Sequence, residues 1–259
     1  MKRTHASGLS AAIAFVIVSL MFYILTLAVE KDSSEPLNQQ NNAAVSGRVS
    51  KDAKLTGGEY WLVHFGAYDT KDEAQIQSAR FAGRGAAGYI HKDDHLYYAV
   101  GNCYEDEATA KKVCERLAGE GIGADVLSVK QAEITIRISA SDEQISAFDE
   151  AYKALVQSEN ALLDIASNLD AGQRASDACA HLSVLAYELK IHAQKMENAV
   201  GSRSSLICMK VSGLCQTALS NVKELSNRKD GEMYLASAIR LKALEMRFSR
   251  LAFLSSISG

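Results

Sequence analysis

One short unit is written twice in this 259-residue chain, and no other feature limits its fold so strongly. Gly66, Tyr68, Ala74 and Gly85 of the first copy match Gly101, Tyr104, Ala110 and Gly121 of the second. The spacings agree except for one extra residue between the second copy's first Gly and its Tyr. Each copy reads as strand, acidic turn, helix, glycine stop and strand. Two copies in tandem give βαββαβ over residues 59–130. The packing rules turn that order into a four-stranded antiparallel sheet with two helices on a single face.

Local signals support each piece. Tyr60 to Phe65 is rich in aromatic and β-branched residues and is broken at Gly66. Asp69 or Thr70 can cap the helix that follows, and Asp72 and Glu73 stand in its first turn, where the helix dipole favours acids. Tyr89 and Ile90, a turn at Asp93 and Asp94, and the run from His95 to Val100 form the central hairpin; Asp125 to Val129 is the last strand. Period-two alternation then sorts the side chains. Trp61, Val63 and Phe65, with Leu96, Tyr98, Val100, Leu127 and Val129, are expected to face the helices. The opposite face would be open to solvent and would carry His64, His95 and Tyr97 beside Leu62 and Val126. Such a face has aromatic and imidazole edges but few cations, so it suits a sugar ring better than a phosphate backbone.

After the doubled unit the texture changes. Ile134, Ile136 and Ile138 alternate within a connector at 131–140, as an edge strand or a stiff link. Ser141 to Gln144 reads as a capping box, and Ile145, Phe148, Tyr152, Leu155, Leu162, Ala166 and Leu169 follow at helical spacing. Three more such patterns run from Ala178 to Met196, Ile207 to Leu225 and Tyr234 to Leu251, separated by Gly172, Gly201 and Gly231. Residues 141–257 are therefore expected to form an antiparallel four-helix bundle, behind an α+β domain. Glu159 interrupts the first apolar stripe and is assigned to the edge of the bundle. His181 and His192 lack the Glu-x-x-His partners of a di-iron site and are expected at core or boundary positions.

The beginning of the chain is different again. Lys2 and Arg3 precede a run from Gly8 to Val29 without a charged residue, about the 20 residues that a bilayer requires. Its length, its aromatic residues and the lack of a small-residue exit favour a retained span over a cleaved signal peptide. The expected order is a cytoplasmic end at 1–7, a transmembrane helix at 8–29 and a flexible polar linker at 30–58, with the bulk of the chain outside the cytoplasm. A formal net charge of -3 gives no basic surface for nucleic acid. The five cysteines lack zinc-site spacing, and no phosphate loop, nucleophile elbow or paired-acid motif is present. No metal, cofactor or catalytic residue is expected.

The run from Tyr60 to Tyr68, the Asp72-Glu73-Ala74 helix start and the matching stretch from Tyr98 to Ala110 resemble the SPOR domain, the sporulation-related repeat of bacterial cell-envelope proteins. The overall plan of anchor, tether and domain is also similar to that of the stage II sporulation protein B-like membrane-anchored proteins. The resemblance implies binding to peptidoglycan glycan strands stripped of stem peptides, at division or sporulation septa. Carried across, the glycan-contacting positions are His64, where Gln is usual, Ala67, often Ser, His95 and Tyr97, commonly an aromatic and Arg, and Val126. Two readings follow: a non-enzymatic, single-pass envelope protein that docks septal glycan and, through its bundle, a partner protein; or an interaction scaffold of the same machinery without glycan binding.

Overall fold

The computed structural model describes residues 48–200 and 206–258. The expected cytoplasmic end, the span and most of the linker lie outside the described residues. None of the described helices is long and apolar enough to cross a membrane. In chain order the elements are β1 (Val49–Leu55), β2 (Gly58–Tyr68), α1 (Lys71–Ala82), β3 (Tyr89–Asp93), β4 (Leu96–Tyr104), α2 (Glu107–Gly119), β5 (Asp125–Gln131), β6 (Ile134–Ala140), α3 (Asp142–Asp170), α4 (Ala175–Ala199), α5 (Leu206–Ser226) and α6 (Glu232–Ser258). The architecture is α+β, with an antiparallel sheet in the order β3-β4-β2-β5 followed by a helical region.

The duplication is a duplication of backbone devices. Thr70 accepts a hydrogen bond from the Glu73 amide, and Asp106, 36 positions later, accepts one from the Thr109 amide, so both helices begin on the same kind of cap. Ala74 and Ala110 are fully buried, because a methyl is what fits where each helix meets the sheet. Both helices end alike. Gly85 and Gly121 take φ of 93° and 75°, and Ala86 and Ile122 donate back to the carbonyls of Phe81 and Leu117. The one-residue difference is absorbed in the strands. The β2–β4 register steps from Val63↔Asn102 to His64↔Val100, leaving Gly101 as an extra residue in β4. A second step, to Ala67↔Tyr98, spans Gly66 in β2.

The linker expected to reach residue 58 gives way earlier to structure. Val49–Leu55 is a strand that pairs antiparallel with β6, Val49 opposite Ala140 and Leu55 opposite Ile134. Ala53, Leu55, Ile138 and Ala140 are buried beside Ile145 at the start of α3, so the apolar alternation of β6 finds its partner in a segment whose own sequence is mostly polar. The connector thus belongs to a separate two-stranded ribbon and not to the main sheet.

The helical region follows its periodicity. Ser141 and Gln144 form the reciprocal capping box, and Ile145, Phe148, Tyr152, Leu155, Leu162, Ala166 and Leu169 are all buried. The helix α6 departs from a one-sided pattern. Besides Leu235, Ile239, Leu244, Leu251 and Leu254 it buries Arg240, Arg247 and Arg250, with the last two 1% exposed. Glu159, assigned by sequence to the edge of the bundle, is also 1% exposed. The apolar stripe of α3 is interrupted there because that carboxylate meets the arginines of α6. One hydrophobic core runs from Tyr60, Leu62 and Val100 of the sheet into the helices, so the described residues form one compact unit.

Candidate functional site

The sheet face expected to be open is closed. Arg247 of α6 lies with its guanidinium 4.4 Å from the Tyr60 ring centroid and donates to Cys103 Sγ at 3.3 Å. Phe248 stacks on Tyr89, with centroids 5.2 Å apart and planes 12° off parallel, and meets the His91 ring at 4.8 Å. Arg250 holds both oxygens of Glu159 in a fork, at 2.8 and 2.9 Å, and donates to the Thr56 carbonyl at 2.7 Å and to the hydroxyls of Tyr60 and Tyr152 at 3.2 and 3.3 Å. Burial opposes the charge on Arg250, but the hydrogen bonds and charge of Glu159 outweigh it and raise its pKa. Burial pushes Tyr89 up to about 12 and raises the Cys103 thiol against the pull of Arg247, so both stay neutral at pH 7.

The five sequence-derived contact positions do not make one platform. His64 is on the closed face, buried, edge-on to Tyr98 at 5.0 Å, with its pKa lowered by burial and its Nδ1 without a partner among the described residues. Ala67 pairs with Tyr98 near the end of the same face and is exposed. His95 lies in the β3–β4 turn, exposed, next to Asp94 with its φ of 43°. Tyr97 pairs with Lys92 in register with Ile90 and Ala99 on the face that α1 and α2 cover, and the Lys92 ammonium stands 5.8 Å from its ring. Val126 is opposite Val63, also on the helix side and half-buried. The structure therefore groups His64 with Ala67 and separates both from Tyr97 and Val126.

The assignment of faces failed in β5 because its apolar side, Leu127 and Val129, meets α6, and in β4 for want of phase. Ala99 and Val100 are adjacent and both essentially inaccessible, so a strand buried on both faces has no polar alternation to give its phase. Leu96, Tyr98 and Val100, with Leu127 and Val129, face α6 and not α1 and α2. What sequence reasoning missed is the second stripe of α6. Ser237, Arg240, Arg247 and Arg250 recur at spacings of three, seven and three, the signature of one more buried helix face. Ser237 donates to the Ala86 carbonyl at 2.6 Å and Arg240 to the Gly85 carbonyl at 2.6 Å, while Arg240 also pairs with Asp170. That stripe clamps the α1–β3 loop as well as the sheet.

On the other face, a cleft of about 400 Å³ lies between α1 and α2 and is closed at one end by Leu169 and Asp170 of α3 and by Glu232, Met233 and Arg240 of α6. Its floor is Val63 and Phe65, with Phe65 stacked on Phe81 of α1 at 3.8 Å between centroids. A side chain at Gly101 would fill part of it, since its Cβ would come within 2.6 Å of the Phe65 ring. Asn102 donates to the Tyr104 hydroxyl at 2.9 Å, which leaves the Tyr104 proton available, and burial raises the Tyr104 pKa so that the proton is kept. Arg84, after α1, and Arg116, in the last turn of α2, also line the cleft. Neither has an acidic partner among the described residues; the two carboxylates that line the same cleft are engaged elsewhere, Asp170 by Arg240 and Glu232 by the Ala175 amide. Among the described residues no group of three or more His, Cys, Asp or Glu side chains could hold a metal ion.

No curated protein matches the chain. Among solved structures, the solution structure of the peptidoglycan binding domain of the B. subtilis cell wall lytic enzyme CwlC is similar at 19% identity, covering 29% of this chain and 94% of that one with a TM-score of 0.25. The family model of the SPOR domain matches residues 57–127, the stretch that holds both caps, both glycine stops and both bulges. The doubled unit of this chain is a SPOR domain.

Proposed function

We propose that this chain is a non-enzymatic envelope protein whose SPOR domain binds peptidoglycan, held at the outer side of the cytoplasmic membrane by the apolar run at 8–29 and acting at division or sporulation septa. The observation that carries the proposal is the SPOR match over residues 57–127. A net charge of -3 agrees with a polysaccharide rather than a nucleic acid as ligand. The full-length chain in detergent should co-sediment with purified sacculi. A folded protein that stays in the supernatant with every sacculus preparation overturns the proposal. A fluorescent fusion followed through growth and sporulation tests the septal part, and a zymogram tests the absence of hydrolytic activity.

A protein partner is favoured by a separate observation. On α4, Val184, Tyr187 and Ile191 are 59%, 66% and 48% exposed, at spacings of three and four that place them on one side of the helix. An exposed apolar stripe of this kind on a bundle is a protein-docking surface. Replacing all three with Ser should leave sacculus pelleting intact and abolish any complex that the bundle forms in cells.

A further inference from the structure

We propose that glycan is read in this chain by the cleft between α1 and α2, and not by the sheet face that α6 covers. The inference rests on the peptidoglycan reading above and deepens it. The covered face is not available to a sugar. Tyr60, Leu62, Val100 and Cys103 are each 5% exposed or less, and exposing them means withdrawing Arg247 and Arg250 from a shared buried carboxylate.

The cleft has the size and the chemistry that the sheet face lacks. Its volume of about 400 Å³ lies within the range of small-ligand sites. Phe65 and Phe81 offer an apolar, aromatic wall to the C–H face of a pyranose ring or to an N-acetyl methyl. Tyr104 can donate its hydroxyl proton to a sugar oxygen. The cleft is lined by three guanidiniums and two carboxylates. Asp170 is paired with Arg240 and Glu232 accepts from the Ala175 amide, which leaves Arg84 and Arg116 without acidic partners among the described residues. Guanidinium matches carboxylate in a two-bond fork. A glycan strand carries a free carboxylate on the lactyl group of each muramic residue only after its stem peptide has been removed, because in the intact strand that carboxyl is an amide. The cleft therefore selects stripped strands by charge, and it selects them over chitin, which has the N-acetyl groups without the acid.

The test uses the full-length chain in detergent with amidase-treated sacculi, untreated sacculi and chitin. The chain should pellet best with amidase-treated sacculi, less with untreated ones and least with chitin. The pair Arg84→Gln and Arg116→Gln should weaken binding to amidase-treated sacculi by about tenfold to a hundredfold, as expected for losing charge-assisted hydrogen bonds. Its thermal unfolding should be unchanged. Lys111→Gln with Arg137→Gln removes the same charge away from the cleft and should bind like the parent chain. If the Arg84 and Arg116 variant binds as well as the parent, or if both double variants lose binding equally, the cleft is overturned while peptidoglycan binding stands. If the parent chain pellets with no sacculi, both proposals fall.

Discussion

The two faces of the SPOR sheet are covered in different ways. On one, α1 and α2 meet the strands through Ala74 and Ala110, both fully buried, and stand far enough apart to leave a cleft over Phe65. On the other, α6 brings Arg247, Phe248 and Arg250 onto Tyr60, Tyr89 and His91, with Glu159 of α3 paired to both arginines and Glu105 to Arg247. The first face is held by small residues and apolar contact, which tolerate a void. The second is held by buried charge, which does not. Buried ions are costly unless every one is paired, so α6 is fixed in one register against the sheet or is not docked at all. A domain that the sequence presents as a free-standing module is thereby built into the helical region.

The largest effect should come from breaking the charged face. Glu159→Ala leaves Arg247 and Arg250 buried without their shared carboxylate, and unfolding in urea should show a loss of about 3–5 kcal/mol. The exposed pair Lys111 and Glu107, at 2.8 Å, is the control on the other side of the domain. Glu107→Ala should cost far less, because water screens an exposed pair. Equal losses would mean that the two faces do not differ as described.

A smaller effect follows from removing the aromatic contact and keeping the charges. Phe248 is half-buried between Tyr89 and His91. Phe248→Ala should cost about 2–3 kcal/mol, less than a fully buried Phe, and should raise the His91 pKa toward that of a free imidazole as water reaches the ring. Histidine NMR titration reads the second quantity. An unmoved His91 would show that Phe248 does not shield it.

On the cleft side, Gly101→Ala sets a methyl against the Phe65 ring where no ångström is spare, since Phe65 is already stacked on Phe81. Overpacking of this kind costs about 1–3 kcal/mol. The stability loss should appear with the α6 contacts intact, so the Phe248 and His91 resonances keep their positions. If they shift with Gly101→Ala, the two faces are mechanically coupled through β4.

Much of this arrangement is legible in the sequence, and the limits of legibility are physical. Gly85, Gly121 and Gly172 mark helix ends because each takes φ between 75° and 97° just after a helix, and Ser141 with Gln144 marks a helix start. The four bundle helices announce themselves through period. The phase of β4 does not, because Ala99 and Val100 are both buried and neither face offers a polar contrast. The spacing of Arg240, Arg247 and Arg250 sets them on one helix face but their charge hides its burial, since the carbonyls and carboxylates that satisfy them come from residues 56, 85, 159, 166 and 170, far away in the chain. The strand β1 hides for a similar reason: Val49–Leu55 alternates too weakly to be seen until β6 supplies the other half of its core. Of the positions inherited from the resemblance, only His64 and Ala67 lie on the face that α6 closes; His95 stands in a turn, and Tyr97 and Val126 are on the side of α1 and α2.

The smallest effect is a pH dependence, and it also separates the faces. Burial lowers the pKa of His64 and of His91, partly offset by Asp125 and the Gly66 backbone for the first and by Asp93 for the second. Both rings belong to the face that α6 closes, and both are therefore neutral in the folded chain at a pH where the unfolded chain, near 6.5, begins to take up protons. The unfolded state then binds more protons than the native state, so stability is fully present above about pH 6.5 and falls as the pH drops below it. The fall ends once the pH passes the lowered folded values. Urea midpoints measured between pH 7.5 and 5 should decline, and the variant His64→Gln with His91→Gln should flatten that decline. No histidine lines the cleft, so sacculus binding through Arg84 and Arg116 should change less over the same range than the urea midpoint does. If binding collapses between pH 7.5 and 5 while the urea midpoint holds, the histidines of the α6 side do not govern the acid response.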